Sequence, residues 1–312
     1  MTEQAKLILA PIRGITDCFF RTLFQQYFPG FDSSLAPFIN PQRHSSFQPK
    51  QLKDLLPEHN RLMPVVPQLL HTNAEDFLFL ASRLHELGYK EVNWNLGCPA
   101  PMVTKKHRGS GLLPFPEQII AFLDHVLPRL PMAMSIKTRL GYEDKNELLT
   151  LLPRLDSYPL TEIIIHPRLG RQLYRGKTDR EAFGICLAAS EHSIVYNGDI
   201  TTVSEFRELQ EQFPKISKWM IGRGALANPF LAGEIKKSDI SEKHHTLLSF
   251  HNELYTCYRE LLSGQAHLLG RMKQLWIYLS AFLPPEKKTW KKIKKCRTEE
   301  KYQQVVADIF KT

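Results

Sequence analysis

Short apolar runs recur along the first 240 residues, separated by stretches in which apolar positions return every three or four residues. The runs read as strands at Leu7–Ala10, Ser34–Ile39, Met63–Leu69, Glu91–Leu96, Ala133–Thr138, Glu162–His166, Ile194–Asn197 and Trp219–Ile221. Between most of them lie helix patterns, such as Ala74–Gly88, which ends on a glycine. Eight strand–helix units predict a parallel (β/α)8 (TIM) barrel, with an open doubly wound sheet as the competing arrangement. Pro37 interrupts the second run. After Pro229 the strand pattern stops. From about Glu242 to Thr312 the periodicity is helical, with Pro284–Pro285 setting off a basic segment. The expected organisation is a catalytic barrel over residues 1–240 and a small, basic, all-helical domain over 241–312.

Hydrophobic residues make up 43% of the 312 positions, enough for a large core, and this excludes a disordered chain. No apolar run approaches the roughly 20 residues that span a bilayer. The stretch MTEQAKLILAPIRG is too short in apolar residues for a signal peptide, so a cytoplasmic protein is expected. The formal net charge is +9 and the pI about 9.2, a balance that favours a polyanionic partner. Residues 241–312 hold 13 Lys/Arg against 7 Asp/Glu, so much of the excess lies in the tail. The five cysteines are scattered without C-x-x-C spacing, which points to neither a disulfide framework nor a zinc site.

In a barrel, function collects where strands end. Strand four runs EVNWN into Leu96-Gly97-Cys98-Pro99, which presents a thiol beside the Gly- and Lys/Arg-bearing loop PMVTKKHRGS. Strand one ends in Pro11-Ile12-Arg13, strand three near Gln68, strand five at Lys137 and Arg139, and strand six at His166 and Arg168. Strands seven and eight end in Asn197-Gly198-Asp199 and Gly222-Arg223-Gly224. Barrels often bind phosphate between those last two loops, and the glycines permit close backbone approach.

Six motifs in order, APIRGITDCFFR, NWNLGCPAP with GSGLL, SIKTRLGY, HPRLGRQLYRGK, YNGDI and IGRGALANPF, resemble the tRNA-dihydrouridine synthases. The resemblance covers the whole barrel and extends more loosely to GRMKQLWIYL in the tail. It implies an enzyme that holds FMN and is recharged by NADPH, reducing the 5,6 double bond of selected uridines in tRNA. Cys98 matches the family's proton donor to C5, with the flavin hydride going to C6. By the same resemblance Asn95 would hold the uracil edge, and Lys137 the N1/O2 side of the flavin. Gln68 would bond its pyrimidine ring, with His166 nearby and Pro11, Ile12 and Arg13 along the isoalloxazine. Asn197, Gly198, Asp199, Gly222 and Arg223 would receive the phosphate.

For the RNA, Arg139, Arg168 and Tyr174 are candidates for gripping the target nucleotide, by forked phosphate pairing and by stacking. Lys105, Lys106 and Arg108 form a cationic loop near the thiol. In EKKTWKKIKKCR, Lys287, Lys288, Lys291, Lys292, Lys294, Lys295 and Arg297 would add salt-sensitive affinity, joined by Arg271 and Lys273. The chain departs from the family pattern at Ile12-Arg13, where Met then Ala or Glu is usual, and at His166-Pro167-Arg168-Leu169. Ribosomal RNA as substrate, an FMN oxidoreductase of free pyrimidines, and a non-catalytic RNA-binding barrel are the alternatives. A monomer with no protein partner and no metal is expected.

Overall fold

The computed structural model describes residues 5–40, 49–238 and 241–311. Nine short parallel strands form one ring: β1 (Lys6–Leu9), β2 (Ser33–Leu35), β3 (Val65–Val66), β4 (Gln68–Leu69), β5 (Glu91–Leu96), β6 (Ala133–Gly141), β7 (Leu160–Leu169), β8 (Ile194–Asn197) and β9 (Lys218–Ile221). Their order is β3-β2-β1-β9-β8-β7-β6-β5-β4. The third run of the sequence is thus two strands, because Pro67 has no N–H to donate between them. The Pro67 carbonyl still accepts from Asn93 (2.8 Å), and Ile39 bridges to Leu69, so the third barrel strand is broken but the ring closes. Eight barrel positions result, and the open sheet is excluded.

Alternation along the strands decides what faces where. On the β1, β2, β7, β8 and β9 side, Ile8, Leu35, Ile164, Val195 and Met220 form an interior apolar cluster. On the β4–β6 side polar residues fill the interior: Asn93 pairs in register with Ser135, and Asn95 with Lys137. The intervening Trp94 and Ile136 point to the helices, where Trp94 stacks on Phe122 at 4.1 Å between centroids. The surrounding helices are α1 (Cys18–Tyr27), α2 (Ala74–Glu86), α3 (Pro101–Thr104), α4 (Pro116–Val126), α5 (Asn146–Leu155), α6 (Arg180–Ala188), α7 (Val203–Gln212), α8 (Arg223–Ala227) and α9 (Leu231–Ile235). The second unit departs from expectation: its described part carries 3-10 turns at Pro49–Leu55 and Pro57–His59 in place of an α-helix.

The tail comprises α10 (Lys243–Leu261), α11 (Gln265–Leu279), α12 (Glu286–Lys295) and α13 (Glu299–Phe310). It does not swing free. Phe250 of α10 sits edge-on against Phe20, Phe24 and Phe28 of the barrel, at 5.0 to 6.0 Å between centroids. Tyr258 donates to Asp17, and Arg271 donates to the Gly14 carbonyl (2.6 Å) and to Asp17 (3.3 Å). The core is continuous across both parts. The basic segment after Pro285 is itself a helix, α12. It buries Thr289 and Ile293, four apart, and turns its lysines outward.

Candidate active site

The carboxyl ends of the strands enclose a cavity of about 900 Å³, near the upper end for small-molecule sites. Pro11, Ile12, Arg13, Gln68, Asn95, Cys98, Lys137, Arg139, His166, Arg168, Tyr174, Asn197, Gly198, Asp199, Gly222 and Arg223 all line it. One cavity therefore gathers every barrel residue singled out at a strand end. Lys105, Lys106 and Arg108 do not line it. The two lysines are exposed beside α3, and Arg108 reaches Asn40 and the His71 imidazole.

A buried chain of hydrogen bonds fixes the turn that carries Cys98. The Asn95 carboxamide oxygen accepts from the backbone N–H of Gly97 (3.1 Å) and Cys98 (2.8 Å), and its amide donates to Gln68 Oε1 (2.8 Å). Gln68 then donates to Asn93, which donates to Ser135. From the other side, Ser110 N–H and hydroxyl both donate to the Cys98 carbonyl at 3.1 Å. Gly109 stands so close to that carbonyl, at φ +57°, that a Cβ would lie 2.5 Å from it. Arg139 closes the frame by donating from Nε to the Gly97 carbonyl (3.0 Å) and from Nη1 to that of Leu169 (2.8 Å).

Several of these groups are already engaged within the protein. Asn95 closes the turn instead of presenting a free amide edge, and Gln68 is engaged on both sides by asparagines. Arg139 is buried and bonded to two carbonyls. Arg168, also buried, donates to the Gly176 carbonyl (2.7 Å), to Asp199 (2.5 Å) and to His166 Nε2 (2.8 Å). Arg168 is thus engaged on three sides, and Arg139 is anchored through Nε and Nη1. Asp199 is held by Arg168, Arg223 and the Thr178 N–H, and the Asn197 amide donates to the Met220 carbonyl. The Tyr174 ring already has Arg139 and Arg223 over it, at 5.3 and 5.2 Å. In the tail Arg271 clasps Gly14 and Asp17, while Lys273 donates to the Cys296 carbonyl at the end of α12. Both are structural ties between segments.

The field in the cavity is strongly cationic. Burial, with the Arg139 charge beside it, brings Lys137 down to about 7. Burial lowers Arg139 to about 10, so it stays charged at neutral pH. Burial and the surrounding Arg139, Lys137, Arg168 and Arg223 push His166 well below its ordinary value. An arginine only donates, so His166 Nε2 accepts and the proton of the neutral imidazole sits on Nδ1. Burial works to raise Asp199, yet the bond and charge of Arg168 outweigh it and keep the carboxylate below its usual value. For Cys98 burial wins: it raises the thiol against the Ala100 N–H and the charges of Arg139, Arg13 and Lys137. The sulfur is therefore a protonated thiol at neutral pH. The cations that bear on it come from β6 and from the loop after β1, not from the Lys105–Arg108 loop.

Four contributors had no local sequence signal. Phe38 lines the wall under the Arg13 guanidinium (5.6 Å), hidden behind the strand-breaking Pro37. Ile277, Tyr278 and Glu286 enter the cavity rim from α11 and α12. Only docking of the tail brings them there.

The family model for dihydrouridine synthase (Dus) matches residues 8–312. The chain is 27% identical to a probable tRNA-dihydrouridine synthase 1 of Synechocystis sp., covering 90% of this chain and 80% of that one. It is 27% identical to a tRNA-dihydrouridine(16) synthase of Haemophilus ducreyi, over 98% and 95%. Among solved structures, histamine dehydrogenase from Rhizobium sp. 4-9 superposes with a TM-score of 0.55 at 9% identity, over 80% of this chain and 48% of that one. Morphinone reductase in complex with tetrahydroNAD superposes at 0.51 and 11%, over 76% and 88%; these likenesses establish the fold. The chain belongs to the dihydrouridine synthase family.

Proposed function

We propose that this protein is a flavin-dependent tRNA-dihydrouridine synthase in which Cys98 is the general acid. The observation that carries the reading is the Cys98 turn, fixed by Asn95, Ser110 and Arg139 in a cationic cavity where burial holds the thiol above its usual value. Reduction of the uracil 5,6 bond needs a hydride at one carbon and a proton at the other. Bound FMN, recharged by NADPH, supplies the hydride.

The residues present fit FMN. Lys137, half charged at neutral pH, would stabilise negative charge on the flavin ring, and an anion beside it would draw it back to the ammonium form. His166 offers an Nδ1–H donor. Arg223 and the loops carrying Gly198, Gly222 and Gly224 all line the cavity and suit a phosphate; glycine at 198 and 224 lets those loops pack against Thr178 and the Ile200 carbonyl, where a Cβ would lie 2.6 and 1.9 Å away. Asp199 serves that loop by holding Arg168 and Arg223 in place.

The acid step falls to the chain's own groups. Cys98 donates its proton to C5 of the uracil, and the thiolate left behind lies within the field of Arg139, Arg13 and Lys137. The same charges that fail to ionise the resting thiol therefore ease the step. On the outside, Lys287, Lys288, Lys291, Lys292, Lys294, Lys295 and Arg297 are exposed. No carboxylate pairs with any of them among the described residues, which suits an RNA backbone. Lys105 and Lys106 extend the basic surface near the cavity. No described helix is long and apolar enough to cross a membrane, and a monomer acting in the cytoplasm is the simplest setting. Comparing tRNA from cells with and without this gene, position by position, tests the reading. Dihydrouridine lost at a defined position supports it, and unchanged tRNA refutes it.

A further inference from the structure

Seven large apolar side chains stand exposed among the described residues, and three of them, Leu173 (37%), Tyr174 (57%) and Ile277 (51%), line the one cavity. Exposed apolar groups gathered in one place mark a contact surface. Leu173 pays twice for its position, since its backbone also lies at φ 54°, ψ −104°, where a branched residue is strained. Ile277 comes from the other part of the molecule, about 100° round α11 from the buried Trp276. Its neighbour Tyr278 lines the same cavity, near enough to Arg223 for that charge to bear on its hydroxyl, so the two segments form one rim. The Tyr174 ring is already engaged by Arg139 and Arg223, which leaves Leu173 and Ile277 as the unengaged apolar part of that rim.

Cations flank it. Arg13 is exposed, Arg223 is partly so, and the lysine face of α12 begins one residue past Glu286, which itself lines the cavity. An apolar ledge between fixed positive charges matches a nucleotide, whose base needs a flat apolar contact and whose phosphate needs a cation. A uridine that leaves its stack to enter the cavity exposes the face of its neighbour.

We propose that Leu173 and Ile277 form a ledge on which the RNA base adjoining the target uridine stacks, replacing the contact that base loses when the uridine turns inward. The proposal rests on the activity inferred above. Because Ile277 belongs to the tail, the ledge exists only while the tail stays docked on the barrel.

A cycle between protein and RNA tests it. Leu173→Gly and Ile277→Ala are made separately; glycine adopts the Leu173 backbone without strain, so that variant keeps the loop. Single-turnover dihydrouridine formation is measured on tRNA that is intact, or abasic on the 5′ or the 3′ side of the target. Each variant is expected to slow intact tRNA about tenfold. On one of the two abasic tRNAs, wild type should be slowed equally and neither variant should lose more. Losses that multiply on both abasic tRNAs, or no loss on intact tRNA, overturn the ledge. Wild type that makes no dihydrouridine in intact tRNA overturns the activity itself, a result separable from either.

Discussion

Replacing Asn95 with Ala separates two accounts of the same residue. The side chain makes three hydrogen bonds, to the N–H groups of Gly97 and Cys98 and to Gln68 Oε1. Each is worth about 1 kcal/mol net. Water entering from the cavity re-satisfies some of the freed groups, so the loss is about 2 to 3 kcal/mol. For a chain of this length that lowers Tm by roughly 3 to 5 °C. The thiol is displaced as well, and a misplacement of about 1 Å costs on the order of a hundredfold in turnover. Asn95→Asp keeps an oxygen for the two backbone amides, and reversal of the Gln68, Asn93 and Ser135 bonds lets Gln68 donate to it. It should recover most of the lost Tm. Thermal unfolding and single-turnover dihydrouridine formation measure both effects. If Asn95→Ala abolishes turnover at an unchanged Tm, the residue acts on substrate and the turn-closing argument fails.

Four further outcomes follow from the charges. The acid must hold its proton and burial raises Cys98, so the single-turnover rate should stay level through neutral pH. It should fall only above the ordinary thiol value of 9.0, and a fall near pH 7 that persists in Lys137→Met would assign the acid elsewhere. Each α12 lysine changed to Ala, Lys291 for instance, should reduce the salt slope of tRNA binding by about 1. Arg271→Ala should instead lower Tm at an unchanged slope, and the reverse pattern would contradict the clasp. In the tail core, buried His251 accepts at Nε2 from the Tyr302 hydroxyl (2.7 Å), and burial lowers it from 6.5 to about 4. The unfolded chain thus binds its proton first. The stability this contributes is complete above about pH 6.5 and lost by about pH 4, up to about 3 kcal/mol. His251→Gln should flatten that part of the unfolding profile measured by denaturant titration, and an unaltered profile would exclude His251 as its source.

The barrel was legible because its strand runs are short, local and regularly spaced, and Cys98 because a thiol at a strand end beside glycines is unusual. The break at Pro67 was equally written in the chain, since proline cannot donate, yet the apolar run masked it. The hydrogen-bond partners of Asn95, Arg139 and Arg168 were not legible. Each side chain is polar, at a strand end and in the cavity, but its partner lies elsewhere in the chain: Gln68 for Asn95, Leu169 for Arg139, Asp199 for Arg168. Spacing shows where a group sits and not which bonds it has already made. Arg271 and Lys273 illustrate the same limit, because the basic composition of the tail cannot distinguish a clasp from a surface charge. The α12 lysines were readable because Thr289 and Ile293 leave every basic side chain on the solvent side.

The central claim is that this chain reduces a uridine in tRNA using a flavin and the Cys98 proton. The direct measurement incubates the purified protein with tRNA and NADPH and reads the RNA by mass spectrometry, for wild type and Cys98→Ala side by side. Wild type should be yellow and should add two hydrogens to one defined uridine, while Cys98→Ala stays yellow and leaves the RNA unchanged or nearly so. A colourless wild type with unmodified tRNA, or a Cys98→Ala variant as active as wild type, would contradict the account.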